Sequence, residues 1–160
     1  MSLRIATVEF LNALPFLTVL RKLHRKGEVE LVEAIPSECA RLLRDDEVDV
    51  ALLPVGALDQ FEKLEVVSRF CIGCVGPVRT VKLFSSVPVG QIKQVVLDPA
   101  SRSSNQLVRI LLRQLWKNEI PELVYPDKAR PMTQTAYVYI GDKVFGLENQ
   151  FPHEYDLGEA

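Results

Sequence analysis

Residues 3–55 read LRIATVEFLNALPFLTVLRKLHRKGEVELVEAIPSECARLLRDDEVDVALLPV, and this stretch decides the fold class. Three short apolar runs predict β-strands: Leu3–Val8, Val29–Ala34 and Val48–Val55. Apolar side chains at helical spacing between these runs predict two α-helices, which begin near Pro15 and Pro36. The order βαβαβ is typical of a doubly wound α/β layer.

A second α/β region follows the first. Its most regular element is a predicted helix over Ser101–Lys117, with an apolar face that includes Leu107, Ile110 and Leu111. The other predicted strands are Leu64–Cys71, Val78–Ser85, Gln94–Asp98, Glu122–Tyr125 and Ala136–Ile140. The polar end of the chain, Phe151–Ala160, receives no predicted element. We therefore expect two α/β lobes, residues 1–86 and 87–160, and a cleft between lobes is a favoured place for a small ligand.

The composition narrows the classes of partner. The 160 residues are 48% hydrophobic and 25% charged, as in a soluble globular protein. A net charge of -2 and the absence of a basic stripe argue against nucleic acid. No run approaches the roughly 18 apolar residues of a membrane span, and the N-terminus does not resemble a signal peptide. We therefore predict a cytoplasmic protein without a membrane partner, in which a small anion would need a local positive site.

The three cysteines do not predict a metal or redox centre. Cys71 and Cys74 have CxxC spacing, but a zinc site would need two further ligands, and the remaining Cys39 and two histidines are scattered. A thioredoxin-like motif would open a helix, whereas the glycines and the proline around Cys74 indicate a turn. We predict small buried thiols in a reducing compartment, and no cofactor.

The strongest candidate site is the segment DPASRSS at residues 98–104, between a buried strand and the best predicted helix. Ser101, Arg102, Ser103 and Ser104 place three hydroxyls and a guanidinium at a helix N-terminus, where free N–H groups and the helix dipole favour an anion. The alternative is helix capping without a ligand. Capping needs one serine rather than three and an arginine, so anion binding is the favoured interpretation.

The weaker candidates for ligand binding lie at the start of other predicted strands or just after them. Arg79 and Thr80 follow a Gly-Pro pair. The arginine could either form a bidentate contact with a carboxylate or form a surface ion pair. Asn12 lies beyond the first strand, where α/β proteins collect ligands, although local sequence alone favours an Asx turn. Ser37 is either a ligand contact or a helix cap. Asp142 belongs to a ligand-side turn or a plain one.

Several segments together carry a resemblance to a known family. In chain order they are FLNALP (10–15), IPSECARLL (35–43), VDVALLPV (48–55), GPVRTVKLFS (76–85), LDPASRSS (97–104), IGD (140–142) and YDLG (155–158). Their order and spacing span nearly the whole chain. The sequence resembles the chorismate dehydratases of the futalosine route to menaquinone, which have a two-lobed, type II periplasmic-binding-protein-like α/β fold. Three positions depart from the family pattern, which has Tyr at Phe10, Ser at Thr80 and Thr at Ser104.

The resemblance implies a substrate and a reaction. Chorismate would lose its ring C3 proton and C4 hydroxyl as water, giving 3-[(1-carboxyvinyl)oxy]benzoate, with aromatisation as the driving force. Asn12 and Thr80 would contact the reacting ring or hydroxyl, while Arg79 and Ser101–Ser104 would bind carboxylates. No histidine lies in a matching segment, so one hypothesis is that a substrate carboxylate takes the proton.

The resemblance also implies that the fold is incomplete at the C-terminus. Family chains continue beyond the YDLG segment, and that continuation returns to complete the first lobe. Two alternatives to the dehydratase stay open: a non-catalytic cytoplasmic binding protein for a small carboxylate, and the sister enzyme that releases a dihydroxynaphthoate from a cyclised futalosine derivative. The oligomeric state is not predicted.

Overall fold

A computed structural model describes residues 2–118 and 121–160 of the chain. The chain forms two compact units, Met1–Gly73 and Cys74–Ala160, and each unit contains its own β-sheet. We had predicted the division after residue 86. The observed boundary lies earlier because the strand Val81–Ser85 pairs with two strands of the second unit. No described helix has the length and apolar character that a membrane crossing requires.

The first unit is a small parallel α/β layer. Its elements are β1 (Leu3–Val8), α1 (Leu14–Arg25), β2 (Val29–Ala34), α2 (Pro36–Arg44) and β3 (Val50–Ala51). The strand order is β2-β1-β3, and both pairings are parallel. The predicted βαβαβ order is thus confirmed. Parallel pairing brings the carboxyl ends of β1 and β2 together, with Val8 opposite Ala34.

Local sequence explains where the helices of this unit begin and end. Pro15 stands in the first turn of α1, where a missing N–H is harmless, and Pro36 opens α2 in the same way. Gly27 follows α1 with φ +73°, a conformation that glycine adopts readily. The core beneath the helices is made of these buried residues: Ala6, Val8, Ala13, Leu17, Cys39, Leu42 and Val48.

Two strand predictions in the first unit differ from the structure. The predicted strand Val48–Val55 is reduced to Val50–Ala51, although the Leu52 N–H still donates to the Ala6 carbonyl. The predicted strand Leu64–Cys71 is irregular and exposed. Its apolar residues suit a strand, but strand formation needs a neighbouring strand to hydrogen-bond, and the described residues provide none there.

The second unit is a five-stranded mixed sheet with one long helix. Its elements are β4 (Val81–Ser85), β5 (Gln94–Val96), α3 (Arg102–Gln114), β6 (Glu122–Val124), β7 (Thr135–Ile140) and β8 (His153–Asp156). The strand order is β6-β5-β7-β4-β8, with β5 parallel to β6 and β7, and β4 antiparallel to β7 and β8. The core includes Leu83, Val95, Leu97, Val108, Leu112 and Val138.

Strand β8 was not predicted from the sequence. Its residues, HEYD, are polar or amphipathic and do not alternate with apolar side chains. The strand forms because β4 offers a free edge, to which residues 153–156 pair in antiparallel register from Ser85 opposite His153 to Lys82 opposite Asp156. Tyr155 adds packing, since its ring lies 5.5 Å from that of Trp116.

The strand directions bring several loops to one end of the second sheet. β5 and β7 are parallel, so Asp98 and Gly141 follow them at the same end. Val81 at the start of β4 pairs with Ile140, and Asp156 at the end of β8 pairs with Lys82. The carboxyl end of the second sheet, defined by these residues, therefore carries four of the segments singled out in the sequence.

Candidate functional site

Asp98 connects the loops at the carboxyl end of the second sheet. Its residue is only 2% exposed, and its carboxylate accepts hydrogen bonds from the backbone N–H groups of Ala100 (3.0 Å) and Ile140 (3.1 Å). Lys143 adds an ion pair, with its Nζ 2.5 Å from Asp98 Oδ2. A buried carboxylate needs such partners, because unpaired burial of its charge is costly. The result is a rigid connection between the loops after β5 and β7.

The start of α3 is hydrogen-bonded to the backbone of Asp98. Asn105 hydrogen-bonds both backbone groups of Asp98, donating to its carbonyl (2.8 Å) and accepting from its N–H (3.1 Å). Ser101 is the N-cap of α3: the Ser104 N–H donates to Ser101 Oγ at 3.1 Å, and the Ser101 hydroxyl donates to that of Ser104 at 2.8 Å. Helix capping, the alternative raised for Ser101, is therefore observed, and ligand binding by the two serines stays a prediction.

Arg102 and Arg79 differ from the other arginines near acidic groups. Neither guanidinium forms a hydrogen bond or an ion pair with residues 2–118 or 121–160, and Arg79 is exposed while Arg102 is half-buried. The surface ion pair considered for Arg79 is thus not formed within the described chain. Both residues lie at the carboxyl end of the second sheet, Arg102 in the first turn of α3 and Arg79 just before β4. Two uncommitted cations at one end of a sheet can bind carboxylates.

Thr80 and Gly141 connect these two regions. The Gly141 N–H donates to the Thr80 carbonyl at 2.8 Å, which ties the segment before β4 to the turn after β7. Gly141 has φ +73°, a left-handed conformation that most side chains disfavour. Asp142 follows it and is exposed. One set of hydrogen-bonded loops therefore contains the predicted residues Arg79, Thr80 and Asp142 and the start of α3.

The electrostatics of this end are mixed rather than uniformly positive. Lys143 Nζ lies 5.3 Å from the centre of the Tyr139 ring as well as against Asp98. Burial raises the pKa of the Tyr139 phenol, and electrostatic interactions with the neighbouring Tyr137 and with the Asp98 carboxylate add to that rise. The Tyr139 phenol is therefore neutral at physiological pH, so it can donate a hydrogen bond rather than repel an anion.

A cavity of about 370 Å³ lies beside Arg79 and is also lined by Pro77, Lys82, Glu148, Glu154, Asp156 and Glu159. Four carboxylates face two cations there, and Lys82 is already paired with Glu154 (3.2 Å) and Glu148 (3.4 Å). An anion would meet net repulsion in this cavity. Arg79 and Asp156 line this cavity and also belong to the carboxyl end of the second sheet, so we locate the candidate anion site at that end and exclude the part of the cavity lined by Lys82, Glu148 and Glu154.

The first unit contributes two predicted residues at the matching end of its own sheet. Asn12 lies in a short 3₁₀ helix after β1 and is exposed, and Ser37 is half-buried in the first turn of α2, which follows β2. The Asn12 amide and the Ser37 hydroxyl form no hydrogen bond within the described residues. The Asx turn and the helix cap offered as alternatives are thus not formed, since Ile35 is the N-cap of α2.

Each histidine lies away from the candidate groups of its own unit, whereas Cys39 shares α2 with Ser37, and the Cys74 thiol contacts the carbonyls of Gly76 and Pro77. The His24 ring, near the C-terminal end of α1, contacts the Val29 carbonyl, and His153 begins β8 at the end opposite to Asp156. Cys39 is buried as predicted, whereas the prediction of buried thiols was wrong for Cys71 and Cys74, which are exposed. Among the described residues, no group of three or more His, Cys, Asp or Glu side chains is arranged to bind a metal ion.

Three important residues of the site were missed as site residues from the sequence: Asp98, Lys143 and Asp156. Asp98 carried a usable signal, because an acidic residue directly after a buried strand and before a helix must find partners. Lys143 carried none, since surface lysines are common and only tertiary contacts distinguish them. Asp156 lies in the YDLG segment of the family resemblance, but its contacts with Val78 and Arg79 are visible only in the structure.

Comparison with known families identifies the chain. The family model described as "Menaquinone biosynthesis" (VitK2_biosynth) matches residues 3–160. The chain belongs to the menaquinone biosynthesis family. Membership supports a role in that pathway and agrees with the resemblance drawn from the sequence segments.

Solved structures extend the comparison to the fold of this menaquinone biosynthesis family member. The alkanesulfonate-binding protein SsuA from Xanthomonas axonopodis pv. citri, bound to MOPS, is similar at 20% identity and a TM-score of 0.58, with 98% of this chain and 60% of that chain covered. The periplasmic aliphatic sulphonate-binding protein SsuA from Escherichia coli is similar at 17% identity and a TM-score of 0.50, with 98% and 59% covered. The predicted type II periplasmic-binding-protein-like α/β fold is confirmed. The chain spans about 60% of the length of these binding proteins.

Proposed function

We propose that this chain carries substrate-binding and reacting groups of a cytoplasmic chorismate dehydratase. The observation that carries the proposal is the pair of uncommitted guanidinium groups, Arg79 and Arg102, at the carboxyl end of the second sheet. Chorismate has two carboxylates, and arginine is well suited to each. The family supports menaquinone biosynthesis as the context, and the sulfonate ligands named for the two SsuA proteins are anions as well.

The proposed reaction is an elimination that needs positioning more than covalent catalysis. The C3–H and C4–O bonds break, the C3 proton passes to a base, and the C4 hydroxyl departs to complete the water molecule as the ring becomes aromatic. Fixing the ring and its carboxylates in a reactive geometry supplies much of the rate enhancement of such a step. Hydrogen bonds to the departing hydroxyl supply the rest.

Seven of the nine predicted residues receive a direct role in this proposal, while Ser101 and Ser104 cap α3. Arg79 and Arg102 would each bind a carboxylate, with Ser103 and the helix N-terminus beside Arg102 adding donors. Thr80 and Asn12 would contact the reacting ring or the departing hydroxyl, because each has a polar side chain with no partner in the described residues. Ser37 and Asp142 would contact polar groups of the substrate.

The base is proposed to be a carboxylate of the substrate itself. Neither histidine lies at the sheet ends that carry the candidate residues, and Asp98 is buried in its contacts with Lys143 and two backbone N–H groups. The Asp98 oxygens therefore already have partners within the chain and do not point to a substrate proton. Asp156 is engaged in the same way by backbone N–H groups.

Incubation with chorismate, followed by chromatographic detection of the carboxyvinyloxybenzoate, tests the proposal. Titration calorimetry should show that Arg102→Ala and Arg79→Ala each weaken chorismate binding about tenfold or more, the usual loss for one charge-assisted contact. Ser103→Ala should weaken binding less, with little change in melting temperature. Arg109→Ala is the matched control, because Arg109 is an exposed arginine further along the same helix.

The outcomes separate the alternatives. Binding of chorismate without turnover would replace the enzyme by a non-catalytic carboxylate-binding protein. Turnover of the cyclised futalosine derivative, but not of chorismate, would favour the sister enzyme. Equal affinities for Arg102→Ala and Arg109→Ala would refute the assigned anion site.

A further inference from the structure

The structure assigns Asp156 and Gly158, in the YDLG segment that ends β8, as positioning residues for Arg79. Together they set the backbone of residues 76–80, named here the arginine turn, so that the Arg79 guanidinium is presented for the carboxylate binding proposed above. The effect of this positioning on carboxylate binding rests on the proposed function. Its structural basis, given next, does not depend on chorismate.

The Asp156 carboxylate gathers the backbone of the arginine turn. Its two oxygens accept hydrogen bonds from the N–H of Val78 (3.0 Å) and from the N–H of Arg79 (2.6 Å), and Oδ1 also accepts from the N–H of Gly158 (2.9 Å). Consecutive N–H groups converge on one anion only in a few backbone conformations. The carboxylate therefore selects the conformation of the turn and does not merely lie near it.

Arg79 adopts a conformation that this contact has to stabilise. Its φ is +66°, in the left-handed region that residues with a Cβ disfavour and that Gly or Asn enters most easily. A turn needed only for chain reversal would be met by one of those residues. An arginine held there, with its guanidinium unpaired within the described residues, indicates that the direction of this side chain matters.

Gly158 allows the close approach that the contact requires. A Cβ atom at this position would overlap the Val78 side chain and stand 2.8 Å from the Gly76 carbonyl oxygen. Backbone oxygen cannot rotate away as a side chain can, so any larger residue would push the end of β8 away from the arginine turn. Both the aspartate and the glycine of the segment thus act on the same five residues.

The charge state of Asp156 agrees with this role. Burial opposes ionisation of the carboxyl, but the N–H groups of Val78, Arg79, Gly158 and Glu159 outweigh that effect, so the pKa of Asp156 lies below its ordinary value. The group is therefore an anion at neutral pH. The turn also reaches the rest of the site, because the Thr80 carbonyl accepts from the Gly141 N–H at 2.8 Å.

Calorimetric titration of chorismate into the 160-residue chain and its variants tests the assignment. Asp156→Asn and Gly158→Ala should each weaken binding about tenfold, as removal of Arg79 does. Glu154→Gln is the matched control, since it removes the same charge from the same strand and from an acid that pairs with Lys82 instead. Its affinity should stay within about twofold of the parent, because Glu154 contacts Lys82 and the Asn149 N–H and none of the backbone N–H groups of the arginine turn.

A double-mutant cycle distinguishes positioning from general destabilisation. If Asp156 acts through Arg79, Asp156→Asn should cause no further loss of affinity in an Arg79→Ala background. Independent losses that multiply in the double variant would overturn the assignment. Asp156→Glu, which keeps the charge, should recover part of the affinity that Asp156→Asn loses.

A second readout separates failure of this assignment from failure of the proposed function. In amide NMR spectra without ligand, the Val78 and Arg79 N–H signals should be shifted far downfield by the carboxylate and should lose that shift in Asp156→Asn but not in Glu154→Gln. If chorismate does not bind but these shifts behave as described, the proposed function fails and the positioning of the turn stands. Unchanged Val78 and Arg79 signals in Asp156→Asn would refute the positioning whatever chorismate does.

Discussion

Replacing Asp98 with alanine is expected to lower the free energy of unfolding by about 3 kcal/mol. The change would leave two backbone donors without an acceptor, the N–H of Ile140, which is buried, and that of Ala100, which is half-buried. Each buried donor left unpaired costs about 1–3 kcal/mol. The ion pair with Lys143 adds less than about 1 kcal/mol, because the lysine side chain is 48% exposed and its charge is screened by water.

Urea unfolding followed by circular dichroism measures this loss. At about 2–4 °C per kcal/mol for a chain of this size, the melting temperature should fall by roughly 6–12 °C. Lys143→Ala isolates the ion pair and should cost less than about 1 kcal/mol. Asp127→Ala removes an exposed acid after β6 and should stay within about 0.5 kcal/mol of the parent.

Two results would refute this reasoning. If Asp98→Ala and Lys143→Ala lost the same free energy, the ion pair and not the backbone donors would account for the stabilisation. If Asp98→Ala matched Asp127→Ala, the buried contacts of Asp98 would contribute nothing measurable, and the loops after β5 and β7 would be joined by other means.

Three further predictions concern single groups. Burial raises the pKa of the Cys39 thiol to about 11, so only Cys71 and Cys74, which are exposed, should react with Ellman's reagent near neutral pH. Immediate reaction of all three cysteines in the folded chain would contradict the burial of Cys39. Ser101→Ala should cost about 1 kcal/mol in urea unfolding and Ser101→Gly only a few tenths, because an N-cap glycine is tolerated; equal large losses would point to another role. The Arg4 guanidinium lowers the pKa of Asp49 to about 2, so the stability that Asp49 contributes is present above the unfolded pKa near 4 and is lost as the pH falls towards 2. Unfolding of the parent and Asp49→Asn at several pH values should therefore show a difference that shrinks in acid, and a constant difference would refute the pair.

Local patterns predicted the regular elements well where the chain is apolar and periodic. The positions of β1, β2, α1 and α2 follow from short apolar runs, helical spacing and the prolines that open the helices. Strand β8 and the irregular segment near Phe70 were mispredicted for the same reason. Whether a segment becomes a strand depends on an available edge, which β4 offers to residues 153–156 and which no described strand offers to the segment near Phe70.

The candidate site was predictable as a set of residue types but not as a set of contacts. Serines and an arginine at the start of a helix indicate anion binding by themselves. The structure reveals that Ser101 and Ser104 are already engaged in capping, while the Arg102 guanidinium forms no hydrogen bond or ion pair with the described residues. Such a distinction requires distances, which sequence spacing does not provide.

By itself, the sequence determined the α/β class, the family and the segments that carry polar groups, because hydrophobic periodicity and motif order are local properties of the chain. Only the tertiary structure decided that Asp98 joins two loops and that β4 belongs to the second unit. It also decided that the Asp156 carboxylate binds the backbone N–H groups of the turn that carries Arg79. These contacts connect residues up to 78 positions apart. They arise from the pairing of strands that are distant in sequence, and a local pattern does not specify which distant strands become neighbours.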